Sequence, residues 1–454
     1  MVVINMANIL LVTHWTGGDV FPFIRLGSIL RAAGNTVTLF THCYYRHFAE
    51  REQLGFEAVD TPEVFEEMSN DLILLENPIR NLEGTLTFNQ KYHGKERLIH
   101  ECRLICSYCD KDDTVIISRH RSSISGLLAA EKMRVPAATA FLAPNYLAHM
   151  SLHNQLFGKE MVEEINKARR VLGLEEISDW RKWLYSPKRF FAFWPDWFAE
   201  HDEDWPENIV NIGFVRRAEN SAEKFSSEIT QFLGKNRQVV LISGGSSKMV
   251  SPKFYQVAAE ACEKAGFPAI LVTYHDEQVP CFLPENILRV KNAPLSALMK
   301  KAAAIIHHGG MGTLSEAVEA GIPQIILPHL TDGPDNAQRL SHNGIARVFP
   351  VAKWDSAEIG KALHEVMTPD FKERCISYSR RMIAESQDLS WIKAFEEMAG
   401  NDRFLPEYKN DCMDESAEPL SAKKLNSVSK QHLLELIQRR RAEGWKNEKG
   451  IFDN

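Results

Sequence analysis

Apolar positions in this chain fall into short continuous runs separated by glycine turns and amphipathic stretches, a rhythm that predicts alternating strands and helices. Ile9-Leu10-Leu11-Val12-Thr13 reads as a buried strand and Gly17-Gly18-Asp19-Val20-Phe21-Pro22 as a turn. Phe23 to Ala33 reads as a helix that Gly34 ends, and Thr36 to Phe40 as the next strand. Continuous apolar strands with helical segments between them mark a parallel sheet covered on both faces. Val115 to Ser118, a helix over Ser125 to Met133 and a strand over Val135 to Phe141 continue the alternation, so the first half is expected to be a Rossmann-like domain.

A second alternation opens at Gln238-Val239-Val240-Leu241-Ile242-Ser243, followed by the turn Gly244-Gly245-Ser246-Ser247. A helix is expected over Pro252 to Ala265, with strands at Ala269 to Thr273, Ile287 to Val290, Ala302 to Ile306 and Gln324 to Pro328. A last helix is expected from Lys372 to Met398, ending at Gly400. The predicted organisation is an N-terminal domain over 1–215, a C-terminal domain over 216–400 with a returning helix, and a polar tail over 401–454. The charged stretch Arg216 to Ser227 reads as the linker. Two such α/β domains face each other across a cleft at the carboxyl ends of their sheets.

Composition narrows the class. At 454 residues the chain is too long for one ordinary domain. A hydrophobic content of 44% with 25% charged residues is that of a soluble globular protein. The net charge of −7 argues against nucleic acid or an anionic membrane as the main partner. No apolar run reaches the roughly 18 residues needed to span a bilayer, and the first residues lack a signal-peptide layout, so a cytoplasmic protein is expected. The spacing of Cys102, Cys106 and Cys109 resembles an iron–sulfur motif, but the segment reads as helix, where thiols pack. The aromatic stretch Trp180 to Trp205 reads either as packing at a domain junction or as an apolar wall for a lipophilic ligand.

Candidate chemistry concentrates in His307 to Glu316, read as HHGGMGTLSE between a strand and a helix. Glycines let a bound group approach the backbone closely, and the free N–H groups and positive dipole end of a helix's first turn suit a phosphate. The segment reads as a diphosphate cradle, although glycine also serves such turns for structural reasons alone. No G-x-G-x-x-G fingerprint follows a strand with an acidic residue at the required distance, which disfavours a dinucleotide dehydrogenase.

These landmarks resemble the GT-B nucleotide-sugar glycosyltransferases, in particular the glycopeptide-antibiotic and sterol glycosyltransferases of the UDP-glycosyltransferase superfamily. The resemblance covers residues 7 to 400 and is strongest over His308-Gly309-Gly310-Met311-Gly312-Thr313 with Glu316. It implies that His308, Gly310, Gly312 and Thr313 hold the donor diphosphate and that Glu316 accepts from the ribose hydroxyls. Gly245 and Ser246 match the turn that closes over the phosphates, and Asn292-Ala293 lies where the family places the base. Gly18-Asp19-Val20-Phe21-Pro22 matches the Gly-Asp-x-x-Pro turn of the antibiotic and sterol members, making Asp19 the general-base candidate, with His14 as a second. Asp332 matches a sugar-gripping carboxylate, but Gly333 stands where the family commonly has Gln, which leaves the hexose open.

The loops after Ser118 and Phe141 point to acceptor contacts from His120, Asn145 and Tyr146 and to a mostly apolar aglycone. The resemblance thus implies an inverting, metal-independent transferase with a nucleotide-diphosphate sugar as co-substrate, no cofactor, and a lipophilic small molecule as acceptor. Asp110/Asp112 and Asp202/Asp204 are D-x-D pairs remote from the donor turn and read as solvated carboxylates. Two rival readings stay open: a catalytically silent relative that serves a partner enzyme, and a nucleotide-sugar epimerase. The 401–454 tail could dock such a partner.

Overall fold

The computed structural model describes residues 6–75, 81–110, 113–148, 150–187, 189–202, 205–215, 224–246, 249–328 and 332–401. The tail beyond 401, linker residues 216–223, and Asp112 and Asp204 of the D-x-D pairs lie outside the described residues.

Strands β1 (Asn8–Val12), β2 (Thr36–Thr41), β3 (Gly55–Ala58), β4 (Thr114–Arg119), β5 (Ala137–Phe141), β6 (Arg189–Ala192) and β7 (Ile209–Asn211) form one parallel sheet. Their order is β3-β2-β1-β4-β5-β6-β7. A second parallel sheet contains β8 (Val240–Ser243), β9 (Ala269–Val272), β10 (Ile287–Val290), β11 (Ala304–His307), β12 (Gln324–Ile326) and β13 (Ala346–Val348). Its order is β10-β9-β8-β11-β12-β13. Strand order therefore reverses between β1 and β4 in one sheet and between β8 and β11 in the other. Such switch points open crevices at the carboxyl ends of the strands. The residues that leave those ends are His14 to Asp19, Arg119 to Arg121, Gly244 to Ser246 and His307 to Gly310.

Pleating explains why the central strands carry apolar residues at successive positions. Ile9 and Leu11 pack on one face with Val37, Leu39, Val115 and Ile117, while Leu10 and Val12 pack on the other with Phe40 and Ile116. Each such fully buried aliphatic side chain contributes about 1.5–3 kcal/mol relative to exposure. In the second domain, Leu241, Ile270 and Ile305 share one face, and Val240, Ile242 and Ile306 the other.

Two expected helices differ from the structure. The first begins at Gly17, not Phe23, and runs to Ala32 with Pro22 inside it. A proline there removes one helical N–H and crowds the carbonyl four residues back; that residue is Gly18, with no side chain to add to the crowding. The last expected helix is two: Pro369–Glu385 packs on the second domain, and Ile392–Asn401 crosses to the first. There Phe395 stacks on Phe191 with ring centroids 4.0 Å apart.

The aromatic stretch is core: Trp180 and Trp183 pack inside the first domain, while Trp194, Phe198 and Trp205 pack at the domain junction. Trp180, Trp183, Trp194, Phe198 and Trp205 are buried, and Trp197 meets Tyr378 of the Pro369–Glu385 helix edge-on at 4.9 Å. None of them lines the cleft. Cys102 and Cys106 lie on the helix Lys95–Cys106, with Cys109 in the turn beyond. All three are free thiols. Among the described residues no helix is long and apolar enough to cross a membrane.

Candidate active site

The turn after β11 is held from three sides. Buried His307 accepts from the Gly309 N–H through Nδ1 at 3.1 Å, so its neutral ring donates through Nε2 to Gln324 Oε1 at 2.9 Å. Burial, with His308 beside it, pushes the His307 pKa down to about 3. Asn336 Nδ2 donates to the Gly309 carbonyl at 3.0 Å. Gly309 takes a φ of +93°, open to glycine at little cost. His307 is thus the pin of the turn, while His308 faces the cleft.

The His308 ring lies between two other turns. A Cβ on Gly245 would come 2.8 Å from its Cε1, and one on Gly310 would come 2.5 Å from its Nε2. Both glycines leave room that any other residue would fill. Gly310 caps the helix Met311–Ala320, and the first helical bond returning to it comes from Leu314. The N–H groups of Met311, Gly312 and Thr313 therefore lack helical acceptors, and all three residues line the cleft beside His308. Donors and dipole converge on one spot, as an anion requires.

Asp19 faces that turn from the first domain. One carboxylate oxygen accepts from the Thr16 N–H at 3.0 Å and the Thr16 hydroxyl at 2.8 Å. The other pairs with Arg119 at 2.7 Å. Arg119 leaves the end of β4, and its guanidinium also lies 4.8 Å from the Trp15 ring. Trp15 itself has a φ of +87°, a strained conformation for a bulky residue. Two histidines hold it. His42 Nε2 accepts from the Trp15 N–H at 2.8 Å while its Nδ1 meets Asp60 at 2.6 Å. His93 Nε2 accepts from the indole N–H at 3.2 Å. Burial, with His14 nearby, pushes the His93 pKa down to about 3, so His93 is neutral.

His14 belongs beneath this layer. It is 2% exposed, its Nδ1 meets the Ser122 carbonyl and the Ser123 hydroxyl, and its Nε2 pairs with buried Glu101 at 3.3 Å. Burial opposes the charge on Glu101, but His14, Arg97 and a bond from Ser125 together hold its carboxyl well below the usual range.

The two domains touch through charged groups. Arg25 of the first helix pairs with Glu316 at 2.6 Å across the cleft. Asp332 lines the cleft and accepts from Asn336 at 3.0 Å. Burial raises its pKa to about 6, and the Asp19 charge adds to this; its own backbone N–H, Asn336 and Arg119 pull the other way. Gly333 next to it does not line the cleft. A Cβ there would come 2.8 Å from the His308 carbonyl, so a side chain at 333 collides with the backbone of the donor turn. Gly333→Gln is therefore expected to weaken nucleotide binding and lower Tm; unchanged values in calorimetry and thermal melts would show that the turn can move aside.

Of the residues singled out from the sequence, Asp19, Gly245, Ser246, Asn292, Ala293, His308, Gly310, Gly312, Thr313, Glu316, Asp332 and Tyr146 line one cavity of about 410 Å³. His14, His120, Asn145 and Gly333 do not. His120 is stacked beneath Tyr146 and against Phe141, at 4.5 and 4.9 Å, and Asn145 is 2% exposed. The structure adds Trp15, Arg25, His93, Arg119, Arg121 and Tyr274 to the lining. Among the described residues no cluster of three or more His, Cys, Asp or Glu is placed to hold a metal ion.

With this geometry in view, residues 9–151 match the glycosyltransferase family 28 N-terminal domain. Residues 268–398 match the C-terminal domain described as erythromycin biosynthesis protein CIII-like. The chain is a GT-B fold relative of the antibiotic and sterol glycosyltransferases. It is 26% identical over 385 residues to O-mycaminosyltylonolide 6-deoxyallosyltransferase of Streptomyces fradiae, covering 80% of this chain and 90% of that protein. It is also 26% identical over 395 residues to a sterol 3-beta-glucosyltransferase of Saccharomyces cerevisiae (strain YJM789), covering 79% of this chain. There it spans 32% of the relative, about a third of its length. Among solved structures, the glycosyltransferase VinC in complex with dTDP superimposes with a TM-score of 0.65 at 17% identity, covering 86% of this chain and 99% of that one. The glycosyltransferase of kitacinnamycin gives 0.63 at 18%, covering 87% and 99%. These likenesses agree with the GT-B arrangement of two parallel sheets facing one cleft.

Proposed function

We propose that this GT-B chain is an active, inverting, metal-independent glycosyltransferase that moves a hexose from a nucleotide-diphosphate sugar, most naturally a UDP-sugar, to a hydroxyl of a lipophilic small molecule. The observation that carries the reading is that the His308 turn and Asp19 line the same cavity from opposite domains. In this reading the diphosphate lies on the N–H groups of Met311, Gly312 and Thr313, with His308 donating as negative charge develops on the leaving group. Ser246 closes from above, Asn292 and Ala293 border the base, and Glu316 takes the ribose hydroxyls while Arg25 holds its other side. Asp332 accepts from a sugar hydroxyl.

Asp19 receives the acceptor's proton. An aspartate is a weak base for an aliphatic alcohol, so transfer comes late, as the oxygen attacks the anomeric carbon and the bond to diphosphate breaks. Arg119 and Thr16 fix the orientation of the carboxylate. His14, tied to Glu101 and turned from the cavity, supports the Trp15 layer and takes no proton from the acceptor.

Asp332 predicts a pH limb. Its carboxylate accepts a sugar hydroxyl only when ionised, so kcat/KM for the donor should fall as pH drops through about 6, approaching roughly tenfold per unit. The profile of Asp332→Asn should lack this limb; an identical limb in the variant would assign it elsewhere. The whole reading is tested by thermal shift with a panel of uridine and thymidine diphosphate sugars. One of them should raise Tm, and failure of every nucleotide at millimolar concentration would sink it.

A further inference from the structure

Arg121 carries a charge that the protein around it does not answer. Four other buried or half-buried arginines each hold a carboxylate: Arg25 with Glu316 at 2.6 Å, Arg97 with Glu101 at 2.8 Å, Arg119 with Asp19 at 2.7 Å and Arg169 with Glu131 at 2.7 Å. Arg121 has none among the described residues. Its guanidinium makes one hydrogen bond, to His153 Nδ1 at 3.1 Å, and lies 5.8 Å from the Tyr146 ring. Burial lowers its pKa only to about 10, so it stays cationic at neutral pH.

The surrounding charges do not compensate. Asp19 favours the Arg121 charge, but its two oxygens are already engaged by Arg119 and Thr16. Arg119, the nearer cation, opposes it. Two guanidiniums therefore share one engaged carboxylate. Arg121 is half-buried, so its guanidinium opens on the cleft, where a bound anion can reach donors that no carboxylate of the protein engages. The backbone also holds Arg121 in place, since its φ of +63° is a conformation that non-glycine residues seldom adopt and that clusters at binding sites.

The place of Arg121 says which ligand brings the anion. It lines the cleft with His153 and Met161 of the helix Met150–Leu172 and with Leu142 and Tyr146, all from the first domain. The phosphate donors lie on the second domain, around Gly310 to Thr313. A planar guanidinium among apolar and aromatic side chains matches a carboxylate on a lipophilic body. We propose that Arg121 is a carboxylate-binding site and that the acceptors of this protein are lipophilic acids, anchored through that carboxylate while a hydroxyl is presented to Asp19.

This rests on the reading of the first-domain wall as the acceptor side, so the test measures binding and needs no turnover. 1-Naphthylacetate and its methyl ester are titrated by fluorescence into the full chain, as wild type, Arg121→Met and Arg121→Lys, each with UDP present. The acid should bind wild type at least about tenfold more tightly than the ester, a difference of about 1.4 kcal/mol. That preference should vanish in Arg121→Met and survive in part in Arg121→Lys. A parallel arm compares UDP-glucuronate with UDP-glucose. An Arg121-dependent preference there instead would keep the carboxylate site and move its source to the donor sugar, overturning the acceptor assignment. Equal binding within both pairs by wild type, or a preference that survives Arg121→Met, overturns the site itself. Failure of wild type to bind any of the uridine or thymidine nucleotides would sink the transferase reading, while the acid–ester comparison still decides for or against Arg121.

Discussion

Asp19→Asn is expected to lower kcat by about 10²–10⁴-fold, the range for loss of a positioned general base, with nucleotide affinity little changed. The amide can still accept from Thr16, so the first turn of the helix keeps its cap. What it cannot do is take the acceptor's proton or balance Arg119. Arg119 is 1% exposed, and leaving a buried charge unpaired costs about 3–5 kcal/mol. Tm should therefore fall as well, and rates must be compared well below the lower melting point. Arg119→Met separates the two effects: it should melt early but retain part of the turnover, because the carboxylate survives. Near-normal kcat in Asp19→Asn, measured in single turnovers with saturating donor, would remove Asp19 from the chemistry.

The second large effect is expected on the facing turn. His308→Ala removes a donor to the leaving diphosphate and should cost about 10²–10³-fold in kcat, the range for losing one stabilising hydrogen bond to developing negative charge. Gly310→Ala should approach that loss without touching the imidazole, because its Cβ would sit 2.5 Å from His308 Nε2 and displace the ring. Tm should change little in His308→Ala, whose side chain faces the cleft, whereas His307→Leu should mainly lower Tm by stripping Gly309 and Gln324 of their partners. If Gly310→Ala kept full kcat, the position of the His308 ring would not matter to the reaction.

How much of this could be read from the chain depended on how local each feature is. The central strands of both sheets are legible because they are continuous apolar runs, whereas the short strands β3, β6, β7 and β13 carry too few apolar residues in a row to be marked. The donor turn is legible because His308, Gly312, Thr313 and Glu316 fall in one short segment. β4 ends at Arg119 and Arg121 has a φ of +63°, so no strand alternation fixes which side chains of the turn after β4 face the cleft. In Arg119-His120-Arg121 the sequence reading chose the middle residue, yet His120 stacks under Tyr146 while both arginines reach the cleft. The start of the first helix was misplaced because Gly17, Gly18 and Pro22 read as a turn; a helical Gly18 under Pro22 satisfies the same residues.

Tertiary features left no local trace. Arg25 and Glu316 are 291 residues apart, and nothing near either announces the pair. The glycine at 333 looked like a missing sugar contact, whereas the structure gives it a packing reason in the His308 carbonyl. The aromatic stretch fits a ligand site or a core equally well from sequence, since the same residues serve both; burial in the first-domain core and against the second domain decides. His42 and Asp60 follow the carboxyl ends of β2 and β3, where site-supporting residues gather, and that position was the one clue to the layer under Trp15.

Hydrolysis of the donor in the absence of any acceptor tests the central claim without knowing the aglycone. With water in the acceptor's place, an α-linked nucleotide sugar that binds should slowly release its nucleotide, and proton NMR at early times should show the free sugar as the β-anomer before mutarotation. That release should disappear in Asp19→Asn. Early appearance of the α-anomer, or of an epimerised sugar, would contradict an inverting transferase built on Asp19 and the His308 turn.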